Sequence, residues 1–176
     1  MTIAVKANDR LEERFRLWDH NGNGVIERSD FEQEIEGILS RFGVASSAPE
    51  AAGLRGAYLG LFDRLAQAAG TEQMSKDDFV RAAESEIVSR GNAGFAEVLQ
   101  PTIQAIMAIA DTDGDGLISP NEFQRWFAAI GLNPGQADEA FQEIDTDGNG
   151  SLSVTELVAA VRDYHLGKND IPLLGV

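Results

Sequence analysis

The chain has 176 residues, 43% apolar and 24% charged, with no cysteine and a formal net charge of −15. That length and composition suit one globular domain or two small ones with a real core, not a disordered chain. The charge repels nucleic acid and anionic membranes, and the missing thiols exclude disulfides, zinc–thiolate sites and cysteine nucleophiles.

Residues 1–9 hold no apolar run long enough for a signal peptide, and no stretch approaches the ~20 apolar residues of a membrane span. A cytoplasmic, soluble monomer is the expectation. Leu11, Phe15 and Trp18 share one helical face, and Phe31, Ile35 and Ile38 share another. Between them lies Asp19-His20-Asn21-Gly22-Asn23-Gly24. Residues 43–53, rich in Ala, Ser and Gly, read as a link, with Ser47-Ala48-Pro49-Glu50 opening the next helix. Leu59 to Phe62 and Phe79 to Ile87 read as a further helix pair around residues 67–78. Gly91-Asn92-Ala93-Gly94 is small and polar, and it divides the chain into halves 1–91 and 92–176.

The second half repeats the pattern. Ile103, Ile106, Met107 and Ala110 precede Asp111-Thr112-Asp113-Gly114-Asp115-Gly116, and Phe123, Trp126, Phe127 and Ile130 follow it. Asn133-Pro134 opens a helix carrying Ala140, Phe141 and Ile144. Asp145-Thr146-Asp147-Gly148-Asn149-Gly150 comes next, then the stripe Leu157, Val161, Tyr164. Ser119-Pro120-Asn121-Glu122 and Ser153-Val154-Thr155-Glu156 are capping boxes, in which Ser and Glu each satisfy a free amide of the first helical turn. Residues 166–176 form an apolar tail that is expected to dock on the core, since exposed Ile, Leu and Val would invite association.

A supersecondary unit repeated in this way predicts an all-α fold of four helix–loop–helix units, eight helices in two packed pairs, with short strands pairing the loops. The loops state the chemistry. A twelve-residue loop ligates Ca²⁺ through oxygens at places 1, 3 and 5, a backbone carbonyl at 7, place 9 and a carboxylate at 12, with Gly at 6 for the turn. The loop 111–122 offers Asp111, Asp113, Asp115, the Leu117 carbonyl, Ser119 and Glu122. The loop 145–156 offers Asp145, Asp147, Asn149, the Ser151 carbonyl, Ser153 and Glu156. The loop 19–30 offers Asp19, Asn21, Asn23, the Val25 carbonyl, Glu27 and Asp30. Its place 12 is one methylene short, which favours one carboxylate oxygen over two and so admits Mg²⁺ as well as Ca²⁺. Ten acids fall within these three loops. Crowded carboxylates repel unless a cation offsets them, so the metal-free form is expected to be looser.

Residues 67–78 align with the loops through Phe79, which matches Phe31 and Phe123. They carry Gln67, Ala69 and Thr71 at places 1, 3 and 5, and Glu72 at the turn. The shape is expected to survive and metal binding to be lost, leaving a partner for the first loop.

The pattern resembles the EF-hand superfamily. Within it, the chain is similar to the sarcoplasmic calcium-binding proteins, especially their calerythrin-like bacterial members. The features are the non-binding second hand, Asp30 closing the first loop, Arg14-Phe15-Arg16-Leu17-Trp18-Asp19 leading into it, and Val161-Arg162-Asp163-Tyr164-His165 before an apolar tail. This resemblance implies a compact fold with both halves packed together, three bound ions and a buffering or transport role.

Two functions stay open: a Ca²⁺ buffer, and a sensor that grips a target protein. Sensors expose Met-rich grooves, whereas this chain has three Met and stripes of Phe, Trp, Ile and Leu. An enzyme is not expected. His20 falls at a solvent-facing loop place, His165 reads as a cation complementing a helix C-terminus, and no phosphate-binding glycine loop is present.

Overall fold

The computed structural model describes residues 3–174. Its helices are α1 (Ile3–Trp18), α2 (Arg28–Phe42), α3 (Pro49–Ala69), α4 (Lys76–Glu86), α5 (Gly91–Gly94), α6 (Gln100–Ala110), α7 (Pro120–Ala129), α8 (Ala137–Ile144) and α9 (Val154–His165). Two short strands, β1 (Val25–Ile26) and β2 (Met74–Ser75), lie within loops. The helices form four helix–loop–helix units: α1/α2, α3/α4, α6/α7 and α8/α9. The entering helix of the third unit is extended backwards by a π turn, Phe95–Leu99, and by α5.

Local chemistry sets the helix starts. Ser119 Oγ accepts the Glu122 amide at 3.3 Å while the Glu122 carboxylate accepts the Ser119 amide at 2.8 Å. Ser153 and Glu156 do the same at 3.3 and 2.9 Å, and so do Ser75 and Asp78 at 3.2 and 3.1 Å. Each pair satisfies two amides that a helix start would leave open. The link before α3 is shorter than 43–53. Pro49 fits the first helical position, where a missing N–H costs nothing, so residues 49–53 are already helical.

Loops pair as the register of place 8 requires. Ile26 faces Met74 across the antiparallel β1–β2 pair. Ile118 and Leu152 exchange N–H···O bonds of 2.9 and 2.8 Å. All four side chains are fully buried, so each pair of loops shares a packed seam.

One hydrophobic cluster runs through both halves. Trp18 meets Phe31 edge-on at 4.9 Å, Phe31 meets Phe62 at 5.3 Å, and Phe123 meets Phe127 at 4.9 Å. Helix α3 packs on α6, α1 on α9, and α2 on α7. The glycines between the halves make a tight bend. Gly91 has φ 59° and ψ −139°, a region that side chains scarcely enter. A Cβ on Gly94 would lie 2.2 Å from the Ile87 carbonyl oxygen. The run 76–110 is long and apolar enough to cross a membrane by length and composition alone. Its Phe79, Phe95, Leu99, Ile103 and Ile106 are buried in the core.

The tail docks: Ile171, Leu173 and Leu174 are buried, while residues 175–176 lie outside the described part. Docking corrects the expectation for His165. Its ring is 5% exposed, hydrogen-bonded through Nδ1 to the Val161 carbonyl at 2.9 Å and set against Phe95. Burial, with the nearby Arg14 charge, pushes its pKa down to about 4. It is a neutral core residue and not a dipole-complementing cation. His20 is likewise engaged, with Nε2 2.8 Å from Glu34 Oε2.

Candidate metal centres

Each complete loop begins where a helix ends and closes at the start of the next helix. In the loop 111–122, Asp111 accepts the amides of Gly114 at 2.9 Å and Gly116 at 2.8 Å. Asp113 accepts Asp115 N–H and Asp115 accepts Leu117 N–H, at 3.2 and 2.9 Å. The loop 145–156 uses the same successive turns: Asp145 to Asn149 and Gly150, Asp147 to Asn149, and Asn149 to Ser151. The loop 19–30 follows suit, with Asp19 to Asn23 and Gly24, Asn21 to Asn23, and Asn23 to Val25. Side-chain oxygens at places 1, 3 and 5 therefore accept successive amides of each loop. The turn needs φ between 79° and 85° at Gly24, Gly116 and Gly150, which only glycine adopts cheaply.

Carboxylate oxygens of Asp111, Asp113 and Asp115 lie within 4.8 Å of one another, as do those of Asp145, Asp147 and Glu156. Electrostatics record the crowding. The Asp115 amide favours the charged form of Asp113. Desolvation, a hydrogen bond shared with Asp111 and the charges of Asp115 and Glu122 outweigh it, so Asp113 is held above its ordinary pKa. In the other loop, the Asn149 amide is outweighed at Asp147 by desolvation, Asp145 and the Glu156 charge. Loss of solvent and like charges brought together each disfavour the ionised carboxylate. These are hard oxygen donors in the number and kind that suit Ca²⁺, so the residues present fit the ion. When bound, Ca²⁺ supplies the positive charge that cross-links both helices of a hand.

The place-12 residues are buried: Asp30 0%, Glu122 2% and Glu156 7% exposed. Glu122 is held by the amides of Thr112 and Ser119, both at 2.8 Å. Burial alone would raise its pKa, and the hydrogen bonds from Ser119, Thr112 and Asp113 more than reverse that, leaving it lowered. Asp30 makes the equivalent pair of bonds, to the amides of His20 at 3.1 Å and Glu27 at 2.9 Å. The shorter side chain is thus anchored as Glu122 is, one methylene nearer its own helix.

Glu27 differs from its counterparts Ser119 and Ser153. It makes no side-chain cap for α2, and the Asp30 amide goes to the Glu27 carbonyl at 3.0 Å instead. Its Oε1 lies 3.4 and 3.3 Å from the side-chain amides of Asn21 and Asn23. The carboxylate therefore leans over the first loop, among the other oxygen donors.

The loop 67–78 is built differently. Gln67 and Ala69 lie in α3, which continues to Ala69. The chain turns at Gly70, with φ 76°, and Glu72 is not in the left-handed region. Without a glycine at place 6 the ligand-winding turn does not form. What survives is the place-5 turn, Gln73 N–H to Thr71 Oγ1 at 3.1 Å, and the Ser75–Asp78 cap. Position by position the second hand is a scaffold for the first loop, tied to it further by Gln73 Nε2 to Glu27 Oε2 at 3.4 Å.

Paired helix–loop–helix units with oxygen-rich twelve-residue loops define an EF-hand calcium-binding protein. The EF-hand domain pair model matches residues 8–128 and 102–162, and the chain belongs to that family. It is 43% identical to calerythrin of Saccharopolyspora erythraea, over 99% of this chain and 100% of that protein. It is 31% identical to the sarcoplasmic calcium-binding protein of Perinereis vancaurica tetradentata, over 93% and 91% of the two chains. Among solved structures, a Streptomyces coelicolor calcium-binding protein superposes with a TM-score of 0.73 at 32% identity, covering 91% of this chain and 98% of that one. The Perinereis and Streptomyces relatives are named as calcium-binding proteins.

Proposed function

We propose that the chain is a monomeric, cytoplasmic Ca²⁺ buffer with three working sites. The ligands would be Asp19, Asn21, Asn23, Val25, Glu27 and Asp30 in the first. They would be Asp111, Asp113, Asp115, Leu117 and Glu122 in the second, and Asp145, Asp147, Asn149, Ser151 and Glu156 in the third. The observation that carries the buffering role is the closed apolar surface. The tail covers the core with Ile171, Leu173 and Leu174, and Met74 and Met107 are buried. A target-gripping EF-hand protein presents an open, flexible groove instead. Calcium addition to the metal-free protein, followed with a dye that brightens on apolar surface, tests this. A buffer leaves the dye dark, and a rise on loading would refute the reading.

The leaning carboxylate of Glu27 and the short Asp30 support a first site open to Mg²⁺ as well. Calorimetric Ca²⁺ titration with and without millimolar Mg²⁺ should show three sites, one weakened by Mg²⁺. A sensor role is the second reading. It is favoured by the Streptomyces coelicolor relative, whose structure is described as a basis for prokaryotic calcium-mediated regulation.

A further inference from the structure

The antiparallel pair between the first two loops sets Val25 opposite Ser75 and Ile26 opposite Met74. One step further along the same register, Glu27 comes opposite Gln73. These are place 9 of the oxygen-rich loop 19–30 and place 7 of the loop 67–78. The contact is made: Gln73 Nε2 donates to Glu27 Oε2 at 3.4 Å. In the other pair of loops, the same step from Ile118 and Leu152 brings Ser119 opposite Ser151. There Ser119 uses its side chain to cap α7.

Both residues are fixed at the backbone. The Gln73 amide donates to Thr71 Oγ1 at 3.1 Å, and the neighbouring Met74 is fully buried. The Glu27 amide donates to Asp30 Oδ2 at 2.9 Å, and Ile26 before it is fully buried. The Glu27 side chain makes no cap for α2, so the donors around its carboxylate set its direction. Its two oxygens are held by different loops. Oε1 receives the side-chain amides of Asn21 and Asn23, at 3.4 and 3.3 Å, and so stays over the first loop. Oε2 receives Gln73 from the second. A carboxylate gripped in this way offers one oxygen to a cation in the loop, not two.

The oxygen count matters because Mg²⁺ demands near-ideal octahedral geometry, whereas Ca²⁺ accepts about six to eight oxygens in a flexible shell. We propose that Gln73 is a positioning residue for the first site. By holding Glu27 Oε2 it limits Glu27 to one oxygen, and so sets how well Mg²⁺ competes with Ca²⁺ there. The inference rests on the reading of 19–30 as a third working site and deepens it. The short Asp30 at place 12 and the restrained Glu27 at place 9 act in the same direction. The second hand then keeps more than its shape, since it contributes a side chain to the metal preference of its neighbour.

The test is calorimetric Ca²⁺ titration of the full-length protein, with and without millimolar Mg²⁺, for the unsubstituted chain, Gln73→Ala and Gln73→Lys. Gln73 is exposed, so neither substitution empties the core. In Gln73→Ala the freed carboxylate can offer both oxygens. The first site's preference for Ca²⁺ over Mg²⁺ should rise about fivefold, the effect of losing one exposed hydrogen bond to a charged group. Lys restores a donor, and the preference should return to that of the unsubstituted chain. Its added charge weakens both dications alike and leaves their ratio alone. A role confined to holding the two loops together would likewise weaken both ions and leave the ratio unmoved. The loops 111–122 and 145–156 should not change. In the metal-free protein, the side-chain amide resonances of Gln73 should shift on Glu27→Ala, which removes their acceptor. An unmoved ratio in Gln73→Ala, no restoration by Lys, or Gln73 resonances indifferent to Glu27→Ala overturns the proposal. Two sites in the unsubstituted chain would refute the reading of the first loop and the inference with it. Three sites with an unmoved ratio overturn the inference alone.

Discussion

Replacing Ile118 with Ala tests the seam between the last two loops. Ile118 is fully buried and faces Leu152, also fully buried. Ala keeps the backbone, so the paired N–H···O bonds of 2.9 and 2.8 Å remain and the loss is one of packing. Three carbons leave the core, about 0.8 kcal/mol each in transfer free energy, or about 2.4 kcal/mol. The cavity left in a rigid seam adds about 1–2 kcal/mol, for a total near 4 kcal/mol. Urea unfolding in saturating Ca²⁺, followed by circular dichroism and tryptophan emission, should show the midpoint falling by roughly 2 M. Calorimetry on the same variant should show the affinities of both carboxyl-terminal loops falling together, because the seam belongs to both. A loss under about 1 kcal/mol, or weakening of one loop alone, would refute the view that the seam couples them.

Asp30→Glu should lengthen the place-12 carboxylate of the first loop and raise its preference for Ca²⁺ over Mg²⁺, so that added Mg²⁺ no longer weakens one of the sites in calorimetry. Gly94→Ala should destabilise the protein by more than about 2 kcal/mol in thermal or urea unfolding, since its Cβ would meet the Ile87 carbonyl at 2.2 Å. His165, whose folded pKa of about 4 lies below its unfolded value, binds fewer protons folded than unfolded between those values. Its contribution is therefore complete above the unfolded pKa of about 6.5 and is lost as pH falls toward 4, up to about 3 kcal/mol in all. The difference in stability between the unsubstituted protein and His165→Asn should shrink across that window when measured by urea unfolding without metal. A pH-independent difference would refute the assignment of a buried neutral imidazole.

Much of the architecture was legible because the loops carry their own register. Short strands were expected to pair the loops, and Ile26 with Met74 and Ile118 with Leu152, each at place 8 of its loop, are the residues that meet. The second hand was legible for the same reason. Glu72 at the turn cannot take the positive φ that Gly24, Gly116 and Gly150 take, so the chain stays helical through Ala69 and turns at Gly70. The capping boxes at Ser119 and Ser153 fixed two helix starts to the residue. Pro49 carried a helix start as well, although the surrounding Ala and Gly read as a link.

Long-range placement was not legible. Nothing near His165 in the chain distinguishes a helix-end cation from a core residue. Its burial comes from Phe95 and Leu174, brought in by the bend and by the returning tail. The glycines at 91 and 94 read as a small, polar boundary between halves, and the close approach of Gly94 to the Ile87 carbonyl makes that boundary a tight corner. Arg14 and Trp126, more than a hundred residues apart, become neighbours only through the carbonyls of Leu173 and Leu174.

By itself the sequence determined the units: four helix–loop–helix modules, which loops carry the turn-forming glycine and oxygen-bearing side chains, which one does not, and that the loops pair through short strands. These are set within a dozen residues by turn geometry, capping and periodicity. The tertiary structure alone decided what those modules enclose. It placed the tail across the core, neutralised His165 by desolvation, turned Glu27 over the first loop and joined the halves in one hydrophobic cluster. Such outcomes depend on contacts between distant segments, whose free energy comes from excluding water collectively and is written in no local pattern.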